Sequence, residues 1–524
     1  MERLGSKRVL PSEIIGRETA RSLAAISSEL NRTIGLLIHR SGKIEAVVVG
    51  DYDHIMIPAL SGIGTGGGRL RGLRCVRTHL GKSHINDEDI MDMVCLRLDM
   101  FSVLTMRDGL PDLLHSVHMA PDPVNLKGWS KLEPVHPGHQ HESCLELINA
   151  LENEFVRLRP LKEVDTGIDR AILVHVTTGS KYEAEESLLE LTELARAADV
   201  TVLDSVIQRR RTIHPRFIIG RGKLMEIMLA SLRFGANLLI FDRELSPSQV
   251  RSVTDHTDLR VIDRTQLILD IFARRALSRE GKLQVEMAQL KYMLPHLSTR
   301  DDALSRLTGG IGARGPGETK LEIDRRRIND RIARLGKDLK AVGKERYHRR
   351  TRRRKRDVPV ISLVGYTNAG KSTLLNTLTN SQIVAEDMLF ATLDPTSRRL
   401  RFPHDMEVII TDTVGFIRNL PTELLKAFQS TLEELEEADL LVHVIDLANP
   451  AHKEQCRVVD DLIHNLDLGS IPYLRVYNKV DLVSEQKREQ VEGEGGICVS
   501  AINAATLTIF FKRAEAMLNK VLNK

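Results

Sequence analysis

The stretch Gly365-Tyr-Thr-Asn-Ala-Gly-Lys-Ser372 follows directly on the apolar run Val358–Val364 and leads into a helix-forming segment, Thr373–Thr379. Strand, glycine loop and helix in that order make a phosphate-binding loop. The glycines let backbone N–H groups wrap phosphate oxygens, and the helix N-terminus adds partial positive charge. The expected cradle is therefore Gly365, Tyr366, Thr367, Asn368, Ala369, Gly370, Lys371, Ser372 and Thr373. Lys371 would reach the β- and γ-phosphates, and the Ser372 hydroxyl would ligate Mg2+.

Downstream, Met406–Thr411 reads as a strand ending in Asp412-Thr-Val-Gly415. A carboxylate at Asp412 can hold magnesium through water, and the Gly415 N–H can sense a γ-phosphate. Leu440–Ile445 and Pro472–Tyr477 are further strands, the second entering Asn478-Lys479-Val-Asp481. Asp481 can accept two hydrogen bonds from guanine N1–H and its exocyclic amine. Adenine lacks those donors, so GTP/GDP is the expected ligand rather than ATP. The strand Ile497–Val499 delivers Ser500 and Ala501, whose backbone can close over the base. Between the phosphate loop and Asp412 lies Phe390-Ala391-Thr392-Leu-Asp-Pro395, where the first switch would supply Thr392 to magnesium and the γ-phosphate; Thr396 is a nearby alternative. Lys371, Thr392 and Gly415 form the expected catalytic set, with Ser372, Thr392 and Asp412 on the metal. Phe416 stands where Ras-like switches carry the glutamine that orients the attacking water, so slow intrinsic hydrolysis is expected. Asn368 either helps bind K+ in place of an arginine finger or shapes the loop.

The remainder of the 524 residues exceeds one core and predicts several domains. A hydrophobic fraction of 42% and a charged fraction of 28% are ordinary for a soluble protein; no apolar run reaches membrane-span length, and five unpaired-looking cysteines fit a reducing cytoplasm. The expected class is a multidomain α/β chain with six segments. Residues 1–118 form an α+β extension and 119–145, rich in Pro, Gly and His, a linker. Residues 146–266 alternate strands and helices as a small doubly wound layer. Residues 267–357 form a helical hairpin, Leu267–His296 and Thr319–Arg350 around a Gly-rich tip at 308–317. Residues 358–501 are the Ras-like nucleotide domain, and 502–524 one helix. Between Lys320 and Arg356 stand 17 Lys/Arg against 5 Asp/Glu, the footprint of a polyanion partner.

GYTNAGKST, FATLDPTSR and DTVGFIRNLP together resemble the HflX family within the Obg–HflX GTPases. The likeness extends upstream through FIIGRGKL (Phe217–Leu224), LSPSQVR (Leu245–Arg251), the run Asp263–Leu297 and GGIGARGPGETKLEIDRRRI (Gly309–Ile328), covering about residues 165–500. The resemblance implies a ribosome-associated GTPase, monomeric and stimulated by the ribosome. It would engage the large ribosomal subunit through residues 267–357 and the α/β subdomain, and split stalled ribosomes under stress. The alternatives are an RNA-remodelling ATPase or a GTP-dependent scaffold. The family is also credited with adenine-nucleotide binding by its N-terminal part; Gly220-Arg-Gly-Lys223 could contact phosphate there, or be a turn or an RNA contact. In the extension, Arg77-Thr-His79 with Asn86-Asp-Glu-Asp89 distantly resembles the metal site of JAB/MPN-type proteases, but with only His79 and Asp89 surviving as ligands it implies at most a metal-free relative. His136, His139 and His141 read as solvated loop residues.

Overall fold

The computed structural model describes residues 2–58, 60, 70–81, 84–120, 128–140, 143–157, 169–216, 218–254, 257, 259–297, 320–354, 358–379, 389–390, 396–402, 406–413, 415–418 and 435–522. By its packing the chain divides into two units, residues 1–188 with 200–262, and residues 189–199 with 263–524.

The first unit opens with α1 (Glu2–Gly5), α2 (Arg17–Leu30), β1 (Ile34–His39), β2 (Ile44–Val49), β3 (Leu73–His79), α3 (Asp87–Cys95), β4 (Met100–Arg107), β5 (Leu110–Met119), β6 (Trp129–Lys131) and α4 (Cys144–Arg157). These strands form one sheet in the order β2-β1-β3-β4-β5-β6. Only β3 and β4 run parallel, because α3 carries the chain across between them. The second sheet, β10-β9-β7-β8, is built from β7 (Arg170–Thr177), α5 (Lys181–Ala197), β8 (Thr201–Arg209), α6 (Arg221–Phe234), β9 (Leu238–Phe241), α7 (Pro247–Thr254) and β10 (Arg260–Asp263). Here β7 pairs in parallel with both β8 and β9, as the alternating strand–helix pattern requires.

Every residue of β3 is buried because both faces of the first sheet are covered. Leu23 of α2 and Ile148 of α4 pack with Leu36, Val76 and Leu104 on one face. On the other, Leu37, Cys75 and Phe101 share a single core with Ile90 and Met93 of α3, Ile227 and Met228 of α6, and Ile172 and Phe241 of the second sheet. The extension is therefore fused to the second sheet rather than appended to it. Residues 128–140 likewise do not behave as a linker: β6 pairs with β5, the Leu114 N–H donates to Val135 O at 2.8 Å, and Gln140 accepts from the Ile14 N–H and donates to Ile15 O, both at 2.7 Å. A three-residue strand is too short to show periodicity among prolines and glycines.

The second unit contains α8 (Arg264–Arg275), α9 (Arg279–Leu297), α10 (Lys320–Arg354), β11 (Val360–Val364), α11 (Lys371–Thr379), β12 (Thr396–Arg401), β13 (Glu407–Asp412), β14 (Leu440–Asp446), α12 (His452–Asn465), β15 (Tyr473–Asn478), α13 (Glu485–Gly493), β16 (Ile497–Cys498) and α14 (Thr508–Leu522). The single helix expected over Leu267–His296 is two. Ala276 takes extended backbone (ψ 108°), and the Ser278 hydroxyl accepts the Gly281 N–H at 2.9 Å to start α9 afresh. The helices α9 and α10 pack together, with Arg331 forked onto Glu286 at 2.7 and 2.9 Å. The Gly-rich tip lies outside the described residues. The sheet order is β12-β13-β11-β14-β15-β16, with β12 antiparallel to β13 and the other neighbours parallel. Its apolar residues pack with Phe510, Ala514 and Leu518 of α14.

Candidate nucleotide site

The loop between β11 and α11 has the backbone its glycines permit. Gly370 sits at φ +88°, where an added Cβ would lie 2.3 Å from Asn478 Nδ2. At Gly365 a Cβ would lie 2.3 Å from the Val444 carbonyl oxygen, so neither position admits a side chain. Asn368 holds φ +60°, consistent with a loop-shaping role. Lys371 folds back over the loop and donates from Nζ to Gly365 O at 3.1 Å and Tyr366 O at 2.9 Å. Burial pushes its pKa down to about 8, against the opposing attraction of Asp412.

Asp412, at the C-terminal end of β13, accepts from the Ser372 hydroxyl at 2.6 Å. Two hard oxygen donors thus meet beside the loop, a donor set that suits magnesium. Beyond it, Gly415 closes tightly on the loop: an added Cβ would lie 2.9 Å from Thr367 Cα and 3.1 Å from Lys371 Nζ. Phe416 is buried and bridges to Tyr366, its N–H donating to Gly365 O at 3.1 Å and its carbonyl accepting the Thr367 N–H at 2.8 Å. Its ring is packed in protein and offers nothing to a water.

The base side assembles from the ends of β15 and β16. Asn478 Nδ2 donates to Ala369 O at 2.9 Å, and its Oδ1 accepts the Ala501 N–H at 2.8 Å. It therefore clasps the phosphate loop to the Ser500–Ala501 turn. Thr377 of α11 strengthens that joint by donating to Ala501 O at 2.5 Å. Lys479 adopts φ +61° and pairs with Asp446 at 2.8 Å. Asp481 is exposed and held by the Ser500 hydroxyl at 2.5 Å, which leaves carboxylate lone pairs for a base. Phe390, at φ +57°, buries its ring edge-on against Phe272 of α8, 4.6 Å between centroids. Ala391 and Thr392 lie outside the described residues.

The sequence reading missed a charged cluster beside the loop. The Tyr366 hydroxyl donates to Glu190 Oε1 and accepts the Arg418 N–H at 2.8 Å. Glu190 Oε2 takes Arg264 at 2.6 Å and Arg418 at 3.3 Å. No local motif announces this, because the partners are far apart in the chain.

The other candidates resolve into internal contacts. Gly220 caps α6, Arg221 pairs with Glu88 at 2.5 Å, and Lys223 pairs with Glu226. These cations are engaged by carboxylates at a helix start, which favours the structural-turn reading. Arg77 grips Asp89 through Nε and Nη2, both at 2.7 Å, and Asp89 completes a capping box with Asn86 at the start of α3. The Asp89 carboxylate, one of the two residues that resemble metal ligands, is thus engaged by a guanidinium. His136 accepts the Gly138 N–H at 3.0 Å within a turn; His141 lies outside the described residues.

Comparison with known proteins agrees with this geometry. Three family models match in succession: a GTP-binding GTPase N-terminal region over residues 185–273, a GTP-binding GTPase middle region over 275–353, and a 50S ribosome-binding GTPase over 360–479. The GTPase HflX of Caldanaerobacter subterraneus subsp. tengcongensis is 50% identical over 323 residues, 62% of this chain and 75% of that one. The chain belongs to the HflX family of GTPases. The Escherichia coli (strain K12) GTPase HflX is 46% identical over 317 residues, 60% of this chain and 74% of its own. A GTP-binding protein from Sulfolobus solfataricus, solved in complex with GDP, aligns over 68% of this chain and all of its own at 24% identity and a TM-score of 0.38, too loose to add to the assignment. As an HflX-family member the chain binds guanine nucleotide and hydrolyses GTP. No helix among the described residues is long and apolar enough to cross a membrane.

Proposed function

We propose that this HflX-family GTPase works on the ribosome: its GTP form docks on the large subunit and splits or rescues stalled ribosomes under stress. The observation that carries the reading is the cationic stretch Lys320–Arg356, which begins with α10 and holds 17 Lys/Arg against 5 Asp/Glu. Ribosomal RNA is the polyanion such a helix suits, through phosphate contacts and shape. A model described as a 50S ribosome-binding GTPase matches the adjoining nucleotide domain, which supports the same partner. The docking surface is residues 267–357 together with the α/β layer of 146–266.

Within the site, Lys371 neutralises the β- and γ-phosphates and the backbone of Gly365–Gly370 wraps them. Ser372, Asp412 and Thr392 hold magnesium, which when bound offsets charge on the phosphate oxygens. Gly415 reports on the γ-phosphate, Asn478 and Lys479 frame the base, and Asp481 selects guanine. Phe416 cannot orient water, so the ribosome, or a K+ ion near Asn368, completes the catalyst. Large subunits should accelerate GTP hydrolysis by at least about tenfold, the modest end of stimulation in trans. Co-sedimentation with subunits should require a GTP analogue and weaken between low and high salt. Pelleting indifferent to both nucleotide and salt, or an unchanged hydrolysis rate, would overturn the reading.

A further inference from the structure

The cluster around Glu190 has a mechanical consequence. Gly415 lies against Thr367 and Lys371, and Phe416 is bonded to Gly365 and Thr367, so a γ-phosphate that is to meet both the Lys371 ammonium and the Gly415 N–H would have to part them. Two residues further on, Arg418 is tied down twice. Its N–H donates to the Tyr366 hydroxyl at 2.8 Å, and its guanidinium pairs with Glu190 at 3.3 Å and Glu454 at 3.4 Å. Glu190 is held in turn by Arg264, whose Nη2 also reaches Arg418 O at 3.4 Å. Side-chain exposure is 3% for Arg264, 10% for Glu190 and 18% for Arg418, so water screens these pairs poorly. Burial, reinforced by the Glu190 charge, raises the Tyr366 pKa and keeps its hydroxyl a donor. Moving Gly415 off the loop to admit a γ-phosphate drags Arg418 with it, and the cluster resists.

We propose that Glu190 is a positioning residue that latches the segment after Asp412 onto the phosphate loop, biasing the site toward GDP until a γ-phosphate displaces the latch. This rests on reading Gly365–Ser372 as the phosphate loop, and GDP binding by the wild-type chain tests that reading separately. A ligand shifts such an equilibrium only by its differential affinity for the two arrangements, so the latch lowers affinity for GTP without touching GDP.

The test uses the full chain with magnesium, titrated with GDP and with a non-hydrolysable GTP analogue. Glu190→Gln, Arg418→Gln and the double variant are compared with wild type. Each single variant should improve analogue affinity relative to GDP by roughly tenfold, within the usual range of coupling between sites. The double variant should gain less than the sum of the two singles, because both remove the Glu190–Arg418 pair. A merely structural role would lower both affinities together. An unchanged ratio, strictly additive effects, or equal loss of both ligands in Arg418→Gln, the more exposed position, overturns the latch. Failure of wild type to bind GDP overturns the site reading beneath it.

Discussion

Replacing Asn478 by alanine tests whether the nucleotide site is held together by protein–protein hydrogen bonds. In the structure both polar atoms of Asn478 are spent on backbone, Nδ2 on Ala369 O and Oδ1 on the Ala501 N–H. The side chain is almost wholly buried, at 1% exposure, so truncation admits little water to replace either bond. Each buried backbone group left unmet costs about 1–3 kcal/mol, and two give about 2–6 kcal/mol. If that loss falls on the arrangement that binds nucleotide, GDP affinity drops by about 30-fold at the least. The joint serves the loop and the base turn alike, so GDP and GTP analogue should weaken equally. Titration with fluorescent GDP gives the first number, and thermal unfolding with and without GDP shows how much of the cost falls on folding. Affinity within about threefold of wild type, with an unchanged unfolding temperature, would refute the clasp.

Three further outcomes follow from the geometry. Arg77→Met should destabilise the first unit by about 3–5 kcal/mol, since it strands a buried carboxylate, and Arg77→Met with Asp89→Asn should recover most of it, as read by urea unfolding. Lys371 has a folded pKa of about 8 against an ordinary 10.5, so between those values the unfolded chain holds more protons and stability rises with pH. Bound phosphate favours the ammonium, so GDP affinity should instead fall as pH climbs past about 8, and Lys371→Ala should erase that dependence in titrations at pH 7 and 9.5. Asp481→Asn should weaken GDP by about two orders of magnitude while improving xanthosine diphosphate, whose 2-keto oxygen can accept from the new amide; competition titration reads both.

The nucleotide domain was legible because its function is written in local backbone demands. The loop positions that adopt φ near +90° or meet a carbonyl closely are glycines, and Asp412 and Asn478 each close an apolar strand. The α8–α9 break was not, since Ala276-Leu-Ser278 contains neither glycine nor proline and the interruption depends on a serine cap. Nor was Glu190, which stands 176 positions before the tyrosine it binds and looks like any acid on an amphipathic helix. The first sheet's strands could be traced as short apolar runs. That its second face would be closed by α3 and α6 could not, because a buried face has the same composition whichever element covers it. The Arg77–Asp89 pair explains the distant metal-site resemblance as spacing without ligand chemistry.

The shared core bears on how the chain could be shortened or could have been lengthened. Family-model similarity begins at residue 185, which invites trimming the protein to that point. Such a cut would remove β7 along with the whole first sheet and leave Ile227, Met228 and Phe241 without the partners that now keep them from water. Even a cut made just before β7 would strip the apolar cover supplied by Ile90, Met93 and Phe101, turning an interior into an adhesive surface. A relative without this extension needs polar side chains, or a different cover, on the same face.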